Sequence, residues 1–600
     1  MVVARQFGRH IVDSLKNSTK SGAQYAVRAY NSCLDFHHDL LESRNSNLRA
    51  ALRQIKATDS PTVFAFHLKR DFMLESFFSV RVTSASEFPG GPPALIHIIS
   101  KLPTSYDSAT TNGYWQTLLD FDTGITQLSK RAQDAEKRAF HELWEKLTNL
   151  HLTKNALPMS GNIFFASFSK LQTYPNLTLS AALEALSQGI VSRDTMIRFQ
   201  YDIIYIDGLL SRYPVAAKRV ITAQLLQHLI TNVPDQRETI EQASVFGSKF
   251  PLTPEDTCLS FLTTSSLSLV IGASLLDYGT HLPIAERMAI RHLLGEIKES
   301  LQESIYSHFV NSDRQTMIGV MGAIDSVQAI VGYPIWLETA EADKKIDEFY
   351  KQLDFTDASY STFLDFVRRL GQFFWRKQFA HHILHEANPS PPHFSTNALF
   401  SRQRGIELQW GLLQAPLYQP DMPLVSLYGS VGFVLSHELM HLISYYKRIF
   451  AATNERAFLN QSACFDAFYD QFCFELANNG TNRTICASGS NDSEENIADA
   501  EGLGLAYRAF ERKFSGGDIG IEKLRKYSPK QLFFLSFAAR FCGSYTPEHL
   551  MRHLQDELDP HAPDVVRVNG AVSISEHFAQ AFNCPKGSRM NRETRCSLFA

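Results

Sequence analysis

The residues of this chain best arranged for chemistry are His437 and His441, which flank Glu438 in His437-Glu438-Leu439-Met440-His441, inside the apolar run from Val431 to Tyr446. On a helix, residues four apart lie one turn apart on one face, so both imidazoles can reach the same ion. The glutamate beside the first histidine can then act as general base toward a water that the ion activates, the arrangement of a zinc peptidase. A site of this kind needs a third protein ligand and leaves its fourth position open. Glu495-Asn496-Ile497-Ala498-Asp499 opens a second helical pattern that runs through Leu503 and Tyr507. Its two carboxylates are again one turn apart. That spacing suits one carboxylate on the metal and the other holding a ligand histidine in its tautomer.

The elements that must position these groups read as helices. Apolar residues recur at three and four through Ala181-Leu183-Leu186, Val215 to Leu229 and Ala289 to Ile305. Breaks are expected at Phe88-Pro-Gly-Gly-Pro-Pro93, Leu157-Pro-Met159, Thr253-Pro254 and Gly332-Tyr-Pro334. Asn388-Pro-Ser-Pro-Pro392 is the clearest linker by composition. The expected division is a helical domain over 1–350 and a catalytic domain over 351–600. Short strands are expected at Leu408 to Leu412 and around Arg567 to Val572, and a solvated loop from Asn478 to Glu494 that delivers Glu495. His381-His382-Ile-Leu-His385-Glu386 reads as a helix-end surface cluster. Gly502-Leu-Gly504 lacks the third glycine and preceding strand of a nucleotide site. The stripe Phe363, Phe366, Leu370, Phe373 reads as helical core.

Composition fits a globular chain. Six hundred residues bury a sizeable core in more than one unit. Hydrophobic residues at 44% and charged ones at 20% exclude a disordered chain. A formal net charge of −4 leaves no electrostatic footprint for nucleic acid. No continuous apolar run reaches the length of a transmembrane helix, and the start Met1-Val-Val-Ala-Arg-Gln-Phe7 has no secretory-signal pattern.

Further along the chain, ordered segments carry a resemblance. Asn397-Ala398-Leu399-Phe400, Gly411-Leu-Leu-Gln-Ala-Pro416, Glu495 to Asp499 continuing Gly502-Leu-Gly504 and Ala506-Tyr-Arg508, Gln531 to Phe537, Cys542-Gly-Ser-Tyr545, His561-Ala-Pro563 with Arg567-Val568, and Ala581-Phe-Asn-Cys584 stand at family spacing. Over most of its length the chain resembles the neprilysin and endothelin-converting-enzyme family of zinc metallopeptidases. The resemblance implies a mainly α, two-lobed zincin fold with small β elements, in which a thermolysin-like catalytic lobe and a helical lobe enclose the active site. It implies one Zn2+ per chain on His437, His441 and Glu495, with Asp499 holding a ligand histidine. It further implies Glu438 as general base, His561 donating to the oxyanion, Arg567 binding a substrate carbonyl, and Asn397 with the Ala398 backbone binding the peptide main chain. The implied activity is hydrolysis of small extracellular peptides by attack of a zinc-bound water, in the extracellular space or at the cell surface. The alternative is a catalytically weak or inactive zinc-binding homologue that acts as a peptide-binding or surface protein.

Departures from the family pattern shape these expectations. Leu442-Ile443-Ser444 follows the second histidine, where the family has Gly-Phe-Asp with the aspartate bracing that histidine. Ala500-Glu501 replaces Asn-Gly. Arg540-Phe541 stands where the family tends to have an apolar residue and a tryptophan near the primed-side pocket. An inward Arg540 would shift preference towards acidic or small side chains. Among the eight cysteines, the resemblance implies the pairs Cys33–Cys258 and Cys464–Cys596. Cys473 and Cys486 bracket a polar loop and are candidates to pair with each other. The family's partners for Cys542 and Cys584 lie in an N-terminal segment that this sequence lacks, which with the missing anchor points to a sequence that begins late. Sequons at Asn17, Asn176, Asn460, Asn479, Asn482 and Asn491 lean extracellular.

Overall fold

The computed structural model describes residues 2–20, 22–38, 48, 60–84, 94–103, 108–121, 123–156, 163–174, 177–231, 253–277, 282–308, 314–354, 362–384, 394, 396–401, 404–415, 417–478, 481–514, 524–554, 559–593 and 595–599. The expected breaks at 88–93 and 157–159, the linker at 388–392, and the sequons at Asn176 and Asn479 lie outside these residues.

The chain forms two compact units that are interleaved along the sequence. The first takes 1–243, 248–280 and 338–391, and the second takes 244–247, 281–337 and 392–600. This differs from a single division between residues 350 and 351. The reason lies in a sheet: Ala329–Gly332 pairs in parallel with Gly405–Gln409. Parallel neighbours need a long crossover, and here residues 338–391, which pack with the first unit, occupy part of that connection.

The first unit is mainly helical, as expected, and the three helical patterns are observed at Leu179–Ser187, Pro214–Thr231 and Ile284–His308, the last in the second unit. Thr253 caps the helix Pro254–Thr264 through a capping box with Asp256. A four-stranded sheet, which helical periodicity did not announce, runs in the order Phe77–Ser84, Ala94–Lys101, Met196–Gln200, Ile163–Ser167. Its apolar side chains, among them Phe78, Val80, Ile96, Ile98, Ile197 and Phe199, enter a core with Trp144, Leu183, Leu226, Trp375 and Phe379. Phe366, Leu370 and Phe373 are buried on the helix Phe363–Leu384, as expected of core. Cys33 and Cys258 join two helices of this unit.

The elements of the second unit, labelled in chain order, are α1 (Ile284–His308), α2 (Arg314–Ser326), β1 (Ala329–Gly332), β2 (Ala398–Ser401), β3 (Gly405–Gln409), α3 (Phe433–Tyr469), β4 (Cys473–Asn478), β5 (Thr481–Cys486), α4 (Ser493–Lys513), α5 (Pro529–Ala539), α6 (Pro547–Leu554), α7 (Asp564–Ser573) and α8 (Glu576–Ala581). The sheet order β1-β3-β2 leaves β2 at an edge. The strand expected at 408–412 is shifted: β3 ends at Gln409 and Trp410–Leu412 is a 3-10 turn. The strand expected around Arg567 to Val572 is instead helix α7. Pro563 at its N-cap and Asp564 in its first turn are helix-start signals that outweigh the β-branched run. The expected loop from Asn478 contains β5, paired with β4 in a hairpin closed by the Cys473–Cys486 disulfide.

Helices α3 and α4 make the main packing of this unit. Their apolar faces (Leu435, Leu439, Ile443; Ala498, Leu505, Ala506) are fully or almost fully buried in its core. Gly502 permits the approach: a Cβ there would stand 2.9 Å from the His437 nitrogen and 3.1 Å from its Cα. Two further ties hold the pair. Glu501, buried on α4, accepts a hydrogen bond from the Leu598 amide at 2.5 Å, and Cys464 on α3 is bonded to Cys596. Gly502→Ala is expected to push α4 off the backbone of α3 and to cost about 1–3 kcal/mol of stability, as overpacking does. A urea titration of the second unit's tryptophan fluorescence reads it. An unchanged midpoint would show that the helices have slack at this point.

Candidate metal centre

Three helices and one loop bring the predicted residues together. Helix α3 carries His437, Glu438 and His441, α4 carries Glu495 and Asp499, α7 carries Arg567, and the segment before α7 carries His561. His437 Nε2 lies 3.2 Å from His441 Nε2 and 3.1 Å from Glu495 Oε2, and His441 Nε2 lies 3.6 Å from Glu495 Oε1. Donors held about 2.0–2.2 Å from one tetrahedral ion stand roughly 3.3–3.6 Å from each other. The three side chains therefore fit a zinc ion in spacing and in donor type. Glu495 Oε2 is buried and no hydrogen bond of ordinary geometry reaches it, which leaves a carboxylate oxygen for a cation. His561 Nε2 stands 3.3 Å from the same oxygen.

Electrostatics show the same demand for positive charge. Burial opposes the charge of His437, but its contacts with Asp499 and Glu495 outweigh burial and raise its pKa to about 9. Burial would raise the carboxyl of Glu495, yet the contact and charge of His437, with His441 and His561, hold it down at about 2. Burial and the neighbouring His437 push His441 down to about 4. Glu438 is buried, and desolvation raises its pKa above the ordinary carboxylate range. A carboxyl with raised pKa is a better proton acceptor and a better later donor at neutral pH.

Asp499 organises the surroundings. Its side chain is 0% exposed and stands 2.8 Å from His437 Nδ1, so it orients the imidazole. It also accepts two hydrogen bonds from Arg567, Nε to Oδ2 at 2.6 Å and Nη2 to Oδ1 at 2.8 Å. Burial opposes ionisation, but Arg567 and His437 hold the Asp499 carboxyl far below the usual range. The structure thus gives Arg567 a bracing partner that the sequence did not suggest. By contrast, Ser444 makes no hydrogen bond with His441. The side of His441 that the family's aspartate would brace has no charged support from this position.

Two more contributors escaped the sequence. Asp559 Oδ1 lies 2.9 Å from His561 Nδ1 and accepts from the His561 amide at 3.1 Å, which fixes the ring through a two-residue turn. The only trace of this in sequence is Asp559-Pro-His561. Tyr469 is fully buried at the end of α3, and burial, with the nearby charge of Asp499 adding to it, pushes its pKa up. Gly570 on α7 makes room for its ring, since a Cβ there would stand 2.3 Å from Tyr469 Cε1. Asn397 is exposed at the start of β2 and its carbonyl accepts from the Gln409 amide at 3.1 Å; Ala398 is buried on the same strand. Strand β2 packs against α3, so the edge strand and the helix that carries His437 and His441 are neighbours.

Comparison with known proteins matches this picture. The profile of peptidase family M13 matches residues 397–598. Endothelin-converting enzyme-like 1 from Mus musculus is 30% identical over 335 residues, 53% of this chain and 41% of that protein. Neprilysin-1 from Caenorhabditis elegans is 30% identical over 305 residues, 48% and 38%. Human neprilysin is 31% identical over 292 residues, 46% and 37%. The chain thus spans about two fifths of the length of these curated relatives. Among solved structures, PepO from Lactobacillus rhamnosis HN001 superposes with a TM-score of 0.72 at 16% identity, over 99% of this chain and 94% of that one. The Mycobacterium tuberculosis zinc metalloprotease Zmp1 superposes at 0.71 and 17%, over 98% and 91%. The shared fold is the mainly α, two-unit one, and the match to peptidase family M13, like the similarity to neprilysin and endothelin-converting-enzyme relatives, rests on part of the chain, residues 397–598 for the family.

Proposed function

We propose that this chain is a zinc-dependent endopeptidase that hydrolyses small peptides. The observation that carries the reading is the convergence of His437, His441 and Glu495 within 3.1–3.6 Å of one another, with buried Glu438 beside them. His437, His441 and Glu495 would hold the ion. When bound, zinc supplies Lewis acidity, polarising a carbonyl and bringing the pKa of water near 7.

The other steps belong to the chain. Glu438 takes a proton from the attacking water and returns it to the leaving amine, a task suited by its raised pKa. Asp499 keeps the His437 Nε2 turned toward the ion, because its carboxylate holds Nδ1. His561, steadied by Asp559, offers Nε2 to the oxygen on which negative charge develops. Arg567, fixed on Asp499, adds positive charge at the same place and binds the substrate carbonyl. The open side of β2 suits a peptide added as a further strand, with Asn397 and the Ala398 backbone holding its main chain. Three disulfides favour an oxidising compartment, so the substrates are extracellular peptides and the site of action is extracellular or at the cell surface. Among the described residues no single helix is long and apolar enough to cross a membrane.

A second reading is a zinc-holding protein that binds peptides without cutting them efficiently. The missing brace at Ser444 favours it, since such partners are worth roughly 10–100-fold in metal affinity or activity.

A quenched fluorescent peptide library, offered to zinc-loaded protein and to Glu438→Gln, separates the two. Cleavage by the first and a loss of about a hundredfold or more in the second is expected. Silence from both, with zinc bound and the fold intact, would sink the peptidase reading. Metal affinity gives an independent measure. Competition against a chromogenic chelator is expected to show Asp499→Asn weakening zinc binding by roughly 10–100-fold, and Ser444→Asp strengthening it by about tenfold. Equal affinities in all three proteins would mean that bracing of the histidines does not set the site's hold on the ion.

A further inference from the structure

Arg540 follows the last residue of α5; it is half-buried, and its guanidinium lies within electrostatic reach of the metal centre. Nη1 is buried and has no hydrogen-bond partner. Glu438, Asp499 and Asp564 all lie within electrostatic reach, as does Arg567. Arg540 and Arg567 both approach the ring of Phe541, with guanidinium carbons 5.7 Å and 5.0 Å from its centre.

None of the described carboxylates completes an ion pair with Arg540, and each has other work. Asp499 is committed to Arg567 through two hydrogen bonds and to His437. Asp564 shares a hydrogen bond with the Tyr545 hydroxyl. Glu495 belongs to the metal set, and Glu438 must stay free to move a proton. Burial pushes the pKa of Arg540 down to about 10, and the like charge of Arg567 adds to this; the group still carries its charge at neutral pH. A buried cation is unfavourable unless an anion meets it. Among the described residues no such anion is paired with it, and a guanidinium fork matches a carboxylate better than any other group of a peptide.

We propose that Arg540 is a specificity-determining residue that binds a peptide carboxylate beside the reacting centre, so that the preferred substrates present an acidic side chain or a free C-terminus there. This rests on the peptidase reading above. Arg540 touches no metal ligand within bonding distance, so it acts on substrate choice rather than on metal retention.

The test uses one peptide sequence varied at a single position among Glu, Gln, Asp, Asn and Leu, each made as the C-terminal acid and the C-terminal amide. Binding to zinc-loaded Glu438→Gln is read by calorimetry, and turnover by zinc-loaded unmutated protein in parallel. Glu and Asp peptides are expected to bind roughly 30-fold or more tighter than Gln, Asn or Leu peptides. The preference is expected to vanish when Arg540→Gln is added. If it follows the acid-against-amide pair instead, the carboxylate read is the C-terminus. A thermal melt checks each variant's fold, and Arg540→Lys, which keeps the charge without the fork, is expected to retain a weaker preference. Salt is expected to erode the preference in the unmutated protein, which tests the charge without any substitution. Equal binding of all ten peptides, or a preference that survives Arg540→Gln, overturns the proposal even if every peptide is cleaved. Arg540-dependent binding of acidic peptides without turnover would instead uphold the carboxylate site and sink the peptidase reading.

Discussion

The centre depends on one buried carboxylate. Asp499 sits with no exposure between the imidazole of His437 and the guanidinium of Arg567. A carboxylate in that position is tolerable only because both neighbours offer positive charge and N–H groups. In return it fixes three things at once: the tautomer of His437, the position of Arg567, and the packing of α4 against α7. Remove it and the charges of His437 and Arg567 face each other with no anion between them. The electrostatics of the site are therefore built outward from Asp499, although it would not itself touch the ion.

Helix packing supplies the precision that this arrangement needs. The distance between the histidine pair on α3 and the carboxylates on α4 follows from backbone contact at Gly502, where side-chain bulk is absent. The far end of α3 is tied by a disulfide to the last residues of the chain, and Glu501 on α4 holds the Leu598 amide. The substitution of Ala500-Glu501 for Asn-Gly thus has a structural explanation: a buried acid next to the glycine contact captures the C-terminal segment.

The convergence of these side chains was largely legible in the sequence, because helical spacing alone decides that His437 with His441, and Glu495 with Asp499, share faces. The disulfide pairs were legible through resemblance, and Cys473–Cys486 through its short polar loop. Less legible were features that depend on distant segments meeting. The Arg567–Asp499 clamp joins residues on separate helices, and nothing local marks it. Arg567 to Val572 reads as a strand by composition, but the Pro-Asp helix start overrides that preference. The first unit's sheet was hidden among strong helical periodicities, and the interleaving of the units could not be read from composition at all. Arg540 was visible as an odd residue in a familiar place, and only the fold revealed its neighbours.

Interleaving has a consequence for biosynthesis. When the growing polypeptide has reached residue 337 it contains α1, α2 and β1, whose packing partners β3, α3 and α4 have not yet been translated. The first unit, by contrast, has everything it needs once residue 391 is out. Vectorial synthesis therefore favours completing the amino-terminal module while a hydrophobic intermediate segment waits. The cluster of His437, His441 and Glu495 is therefore among the last parts of the molecule to come together.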